Sequence, residues 1–325
     1  MSATDNPFGQ VLVALVTPMT IDGEVDWPAV ERLMDDVIVG GADGIVVSGT
    51  TGETSTLTDS EKLELVRVGK RVAGGRAKII TGGPSNETAH AIQLAQQSAE
   101  AGADAVMAVT PYYNKPTQSG VLTHFRMIAD ATDLPMILYD IPGRTGIPIT
   151  YDTIVRAAQH PNILAIKDAK GDLTEVSRVL NDTNLIYFAG DDANALPLMS
   201  IGATGLIGVT ANIAPHAYRT IVDAVNGGDL TAATAAHQSL EPLVRATMTH
   251  VPGTVSTKYI LHGLGRIPSP RVRLPLVGPE DAEAAVIEDD VARVRGIEGL
   301  DLSNFRPDRN AAAGGALPRI AGTTR

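Results

Sequence analysis

Short apolar runs bounded by turn residues recur along this chain at Val11–Val16, Gly44–Ser48, Lys78–Thr81, Ala105–Thr110, Pro135–Asp140, Ile163–Asp168, Leu185–Ala189 and Gly205–Val209. Each has the length of a buried strand rather than of a helix. Between most of them the apolar positions return at helical spacing, as in Asp59–Val72, Thr88–Ala101 and Tyr151–His160. Three strands follow a repeated junction, Gly41-Ala42-Asp43-Gly44, Gly102-Ala103-Asp104-Ala105 and Gly202-Ala203-Thr204-Gly205, with glycine where a helix would end. About eight alternating units predict an α/β chain folded as a parallel (β/α)8 TIM barrel over residues 1–228. An open doubly wound sheet is the alternative; it favours a dinucleotide fingerprint near the start, and none is there. Beyond residue 228 the strand pattern stops, and Leu230–Met248, Thr254–Leu264 and Glu280–Arg295 predict a small helical appendage over 229–298. Residues 299–325 are rich in Ala, Gly, Pro and Arg without periodicity, and are expected to be a disordered tail.

Composition narrows the function. With 44% apolar residues in 325, the chain can bury a large core, yet no apolar run approaches the ~20 residues of a membrane span. Met1–Gln10 has neither a basic segment nor an apolar stretch, so a cytoplasmic location is expected. A formal charge of −11 disfavours nucleic acid as a partner. The lack of cysteine excludes disulfides and thiolate chemistry, and the seven histidines show no metal-ligand spacing. No metal is expected.

In such barrels chemistry sits at the C-terminal ends of the strands. The first end offers Thr17-Pro18, the second Gly49-Thr50-Thr51-Gly52-Glu53, the fourth Thr110-Pro111-Tyr112-Tyr113-Asn114. The fifth offers Tyr139 and, past a turn, Arg144; the sixth Lys167; the seventh Gly190-Asp191-Asp192. A lysine closing an apolar strand enters a low-dielectric place that favours the neutral amine, and a neutral amine attacks carbonyls. By itself Lys167 also reads as a strand-end lysine paired with a carboxylate. Strand alternation groups Ile163, Ala165 and Lys167 on one face and Ile137 and Tyr139 on one face of the preceding strand, which makes Tyr139 and Lys167 neighbours if both faces point inward. The Gly49–Gly52 turn reads either as a carboxylate site built from N–H groups and hydroxyls or as a tight turn with capping threonines. Tyr112 and Tyr113 read as site or packing aromatics, and Arg144 as a carboxylate clamp or a surface charge. Asp191 and Asp192 read as turn and cap acceptors, and Lys258, in the helical region, as structural.

Taken in order, Gly49-Thr50-Thr51-Gly52-Glu53, Thr110-Pro111-Tyr112-Tyr113-Asn114-Lys115-Pro116, Tyr139-Asp140-Ile141-Pro142-Gly143-Arg144-Thr145, Ile166-Lys167-Asp168-Ala169 and Gly190-Asp191-Asp192-Ala193 closely resemble the dihydrodipicolinate synthase family, among the pyruvate-dependent class I aldolases that include N-acetylneuraminate lyase. The resemblance runs from about Gly9 to Arg295. It implies condensation of pyruvate with L-aspartate 4-semialdehyde, in lysine and diaminopimelate biosynthesis, without metal or organic cofactor. On the matching positions Lys167 forms the Schiff base, and Thr50 and Thr51 hold the pyruvate carboxylate. Tyr139, Thr51 and Tyr113 form a proton relay, with Tyr113 reaching in from a neighbouring subunit of a homotetramer built from two dimers. Arg144 receives the semialdehyde carboxylate, and the backbone near Gly190 and Ile207 lines the pocket.

Two departures from the family pattern stand out. Asp140 stands where many relatives have asparagine, and Asp59, Lys62 and His90 stand where lysine-inhibited relatives hold their effector, although Asn86 and Tyr112 are retained. An ammonium at Lys62 repels a lysine effector, so weak or absent lysine inhibition is expected. A sister aldolase acting on a 2-keto-3-deoxy sugar acid is the competing enzyme reading; Arg144 disfavours it. A catalytically silent barrel used for binding is the non-enzymatic alternative, disfavoured by Lys167, Tyr139, Thr51 and Tyr113 together.

Overall fold

The structure is a computed structural model describing residues 6–83, 85–297 and 299–312. Its strands are β1 (Val11–Ala14), β2 (Gly44–Val47), β3 (Lys78–Thr81), β4 (Ala105–Val109), β5 (Met136–Asp140), β6 (Ile163–Asp168), β7 (Ile186–Ala189) and β8 (Gly205–Gly208). They pair in parallel in sequence order, and β8 closes on β1. The expected TIM barrel is therefore present, and no open sheet edge exists among these strands. The helices are α1 (Trp27–Val39), α2 (Asp59–Ala73), α3 (Thr88–Glu100), α4 (Gln118–Asp130), α5 (Pro142–Thr145), α6 (Tyr151–Ala157), α7 (Leu173–Asp182), α8 (Ala195–Met199), α9 (Pro215–Asn226), α10 (Leu230–Met248), α11 (Gly253–Gly263), α12 (Asp281–Arg293) and α13 (Arg309–Ala312). None is long and apolar enough to cross a membrane.

Alternation along the strands sorts the apolar side chains into two shells. Leu12, Val46, Ile80, Met107, Ile137, Ala165, Phe188 and Ile207 fill the barrel interior, while the alternate residues pack outward against the helices. Each of these side chains larger than alanine, fully withdrawn from water, contributes about 1.5–3 kcal/mol. One strand breaks the alternation. Met136 pairs with Ile163, but Ile137 pairs with Ala165, so β6 carries a bulge at Leu164. Ile163 consequently joins the helix-facing shell instead of sharing the face of Ala165 and Lys167. The bulge leaves the C-terminal half of β6 in register, with Tyr139 directly opposite Lys167.

After the barrel, α10 packs on α9 and α12, and α11 is buried along most of its length. The stretch expected to be a disordered tail is different where the structure describes it. Phe305 lies half-buried over Gly263, where an added Cβ would stand 2.4 Å from the ring. The Arg306 N–H donates to the Gly263 carbonyl at 2.7 Å, and Arg309 forks onto Glu288 at 2.8 and 2.6 Å. An aromatic residue and an arginine too sparse to create a period were enough to anchor the segment; residues 313–325 lie outside the described residues. Truncation after Leu300, which a featureless tail would tolerate, is instead expected to cost about 2 kcal/mol, mainly from Phe305, and to lower the melting temperature by a few degrees. Circular dichroism melts of the full and shortened chains test this, and coincident curves would return the segment to a passive role.

Candidate active site

Lys167 is the next-to-last residue of β6 and only 4% exposed. Its Nζ lies 4.1 Å from the centroid of the Tyr139 ring. Burial pushes the amine down from its ordinary value of 10.5 to about 8, further helped by the positive charge of Arg144 and opposed by Asp192 and Asp191. Gly190 makes room for its stem: a Cβ there would stand 3.0 Å from Lys167 Cγ and 2.8 Å from the Asp168 carbonyl oxygen. A side chain at 190 would press on the Asp168 backbone and on the lysine stem.

Burial raises the Tyr139 phenol, against the opposing pull of Arg144 and of a hydrogen bond with the Thr50 side chain. Thr50 is thus the threonine of the turn that acts on the Tyr139 phenol, while the relay role was expected of Thr51. Sequence spacing cannot separate adjacent threonines in a turn. The turn does: Thr50 is exposed at the barrel mouth, while Thr51 is buried and its carbonyl accepts from the Thr254 hydroxyl at 3.1 Å.

A cavity of about 170 Å³ opens above these groups, lined by Thr50, Gly82, Tyr112, Tyr139, Ile141 and Arg144 among others. It suits a small oxo acid. Arg144 sits in the short α5, which Pro142 starts and Gly146 ends, and it makes no ion pair with any described residue. Thr51, Lys167, Gly190 and Ile207 are not on the cavity wall; Lys167 lies against the Tyr139 ring, and Ile207 is fully buried in the barrel interior. Tyr113 is set apart as well, 91% exposed with φ of +72°, a backbone conformation that costs an aromatic residue about 1–3 kcal/mol.

The carboxylates at the site divide as their turn chemistry suggests. Asp191 caps Ala193 N–H at 2.9 Å, and buried Asp192 accepts from the N–H groups of Val209 and Thr210 and from the Tyr218 hydroxyl. Asp140 acquires an explanation that the sequence alone did not offer. It is opposite Asp168 in the β5–β6 register, and its carboxylate meets Lys170 Nζ at 2.9 Å. Burial raises it to about 6 despite that ammonium. Lys170 also pairs with Glu175, and these carboxylates hold its ammonium above the usual range although burial opposes them. Lys170 is thereby unsuited to be the nucleophile. Elsewhere Asp59 meets Lys62 at 3.3 Å and His90 at 2.7 Å, while the Asn86 amide donates to the Tyr112 carbonyl at 3.0 Å.

The chain is similar to known proteins over most of its length. Residues 7–293 match the Dihydrodipicolinate synthetase family. The 4-hydroxy-tetrahydrodipicolinate synthase of Kineococcus radiotolerans is 46% identical over 286 residues, which cover 88% of this chain and 93% of that protein. Among solved structures, a dihydrodipicolinate synthase from Acinetobacter baumannii, complexed with pyruvate, aligns with a TM-score of 0.84 at 39% identity over 88% of this chain and 98% of that one. Another, from Cyanidioschyzon merolae with lysine bound, aligns with a TM-score of 0.85 at 38% identity over 89% and 98% of the two chains.

Proposed function

Because the chain belongs to the Dihydrodipicolinate synthetase family, we propose that it is a lyase condensing pyruvate with L-aspartate 4-semialdehyde to 4-hydroxy-tetrahydrodipicolinate, in lysine and diaminopimelate biosynthesis. The observation that carries the mechanism is the buried amine of Lys167 against the Tyr139 ring. The neutral amine adds to the C2 carbonyl of pyruvate, and loss of water leaves an iminium. Loss of a methyl proton then gives an enamine, with the iminium nitrogen taking the electron pair. The enamine carbon attacks the aldehyde carbon, whose oxygen is protonated to the 4-hydroxyl. The substrate amine closes the ring on C2 and expels Lys167. Protons move through Tyr139, with Thr50 as its partner and Tyr113 supplied by a second subunit of a homotetramer. Thr50 and Thr51 receive the pyruvate carboxylate, and Arg144 that of the semialdehyde. No cofactor enters these steps.

Borohydride reduction in the presence of pyruvate tests the reading. A reduced adduct is expected on Lys167, and an adduct on Lys258 or Lys170, or none, would overturn it. The rate should also depend on pH. With its pKa at about 8, Lys167 is roughly one-tenth neutral at pH 7, against about 3 in 10,000 for an ordinary lysine. Trapping at subsaturating pyruvate is expected to rise about tenfold per pH step below 8 and to level above it. A rise continuing unabated to pH 10 would mean an unperturbed amine.

Lysine inhibition is expected to be weak or absent. An effector with two ammonium groups needs acceptors for both, and the Asp59 carboxylate is already engaged by Lys62 and His90. Initial rates titrated with L-lysine at low pyruvate decide the point. Half-inhibition below about 1 mM, roughly 4 kcal/mol of binding, would mean that a functional site survives these contacts.

A further inference from the structure

Lys258 is completely buried, yet it lies in α11, outside the barrel. Its ammonium donates to the Glu53 carboxylate and, at 2.8 Å, to the Arg271 carbonyl. Glu53 is itself 4% exposed, and its second oxygen accepts from the Arg273 N–H at 2.8 Å. Both ions are thus satisfied, but a buried pair is an expensive way to hold two elements together, because apolar residues of similar volume do so as well or better. What the pair does that an apolar contact would not is fix a direction.

The direction matters because Glu53 ends the turn that carries Thr50 and Thr51. Ser48 and Glu53, at φ of +51° and +62°, bracket that turn, and neither is glycine. Each such residue is strained by about 1–3 kcal/mol and persists only where surrounding contacts hold it. The Glu53 N–H donates to the Thr50 carbonyl at 3.2 Å, so rotation of Glu53 moves Thr50. The same helix grips the turn a second time, where the Thr254 hydroxyl donates to the Thr51 carbonyl. From the barrel side the Thr17 hydroxyl holds the Gly52 carbonyl at 2.8 Å.

We propose that Lys258, acting through Glu53 and assisted by Thr254, is a positioning residue that sets Thr50 and Thr51 for the carboxylate of the oxo-acid substrate. The helical region after the barrel is then a working part of the pyruvate subsite. This inference rests on the Schiff-base reading above. A pair that only fastened the helices to the barrel would affect stability alone. A pair that sets the turn affects one substrate in particular.

The full-length protein is compared with Lys258→Met, the double variant Glu53→Gln/Lys258→Met, and Thr254→Val. Borohydride trapping is titrated with pyruvate, both KM values are measured, and melting is followed. Lys258→Met, which strands the Glu53 charge, is expected to raise the pyruvate concentration for half-maximal trapping about tenfold, with the semialdehyde KM within about twofold. The double variant, neutral but still able to accept from Arg273, should recover much of that loss. Thr254→Val should give a roughly threefold rise with little change in melting temperature. Lower stability with unchanged half-saturation, or equal rises for both substrates, overturns the proposal. Should the Lys258 variants fail to fold, Thr254→Val decides, and unchanged half-saturation there overturns it. Wild-type protein that traps no pyruvate removes the Schiff-base reading and this inference with it; wild-type trapping matched by every variant removes the inference alone.

Discussion

Replacing Lys167 with alanine is expected to abolish borohydride trapping and to lower turnover by roughly a thousandfold or more, because the buried amine against the Tyr139 ring is lost and the other candidate lysines are held by carboxylates. Lys170 is bound by Asp140 and Glu175, and Lys258 by Glu53. The loss should not come from unfolding. A lysine whose pKa falls from 10.5 to about 8 on folding is a burden below pH 8, when both states are charged and the folded one is desolvated. The displacement corresponds to about 3 kcal/mol, and stability recovers as pH rises from 8 towards 10.5 and the folded amine no longer needs its proton. Alanine removes this penalty while giving up some packing of the stem. The variant is therefore expected to melt within a few degrees of the parent, or above it, at neutral pH. Activity assays beside melting curves test both halves. Residual turnover above about 1% of the parent would point to another nucleophile or to a mechanism without a Schiff base.

The barrel was legible because its signal is repeated. Eight short apolar runs survive errors at any one of them, and the observed strands differ from the expected ones only by a residue or two at their ends. The Lys167–Tyr139 pairing was legible for a related reason, since strand alternation is a strong rule and the register places the two residues opposite. The bulge at Leu164 was not legible, because an apolar residue there satisfies either shell. Long-range polar contacts stayed hidden for a different reason. Glu53 and Lys258 are 205 residues apart, and Asp140 and Lys170 lie on different strand–helix units; spacing along the chain carries no information about such pairs. A single lysine in a stretch that carries no other charge, as in Val255–Leu261, is the trace such a contact leaves in sequence, and it marks Lys258 as it marks Lys167. The choice between Thr50 and Thr51 depends on backbone angles within one turn, and residue type is silent there.

Replacing Arg144 with alanine is expected to separate the two substrates. Its guanidinium stands at the cavity mouth without an ion-pair partner among the described residues, as a clamp awaiting a carboxylate would. Loss of such a clamp should cost about 2–5 kcal/mol in semialdehyde use, a fall in kcat/KM of roughly 30- to 5,000-fold. Pyruvate should still form its imine on Lys167, with one correction. Arg144 disfavours the Lys167 ammonium, so its removal lets the amine pKa rise and moves the trapping curve to higher pH. Since Arg144 is exposed, that shift should shrink as salt is added. Comparing pyruvate trapping and semialdehyde kinetics at a pH where both trapping curves have levelled removes the indirect effect. Persistent trapping with collapsed semialdehyde use assigns Arg144 to the second substrate. Equal losses of both at that pH, in a folded protein, would instead tie Arg144 to pyruvate or to the shape of the mouth. Retained condensation alongside strong cleavage of a 2-keto-3-deoxy sugar acid would shift the second substrate toward the sister aldolases.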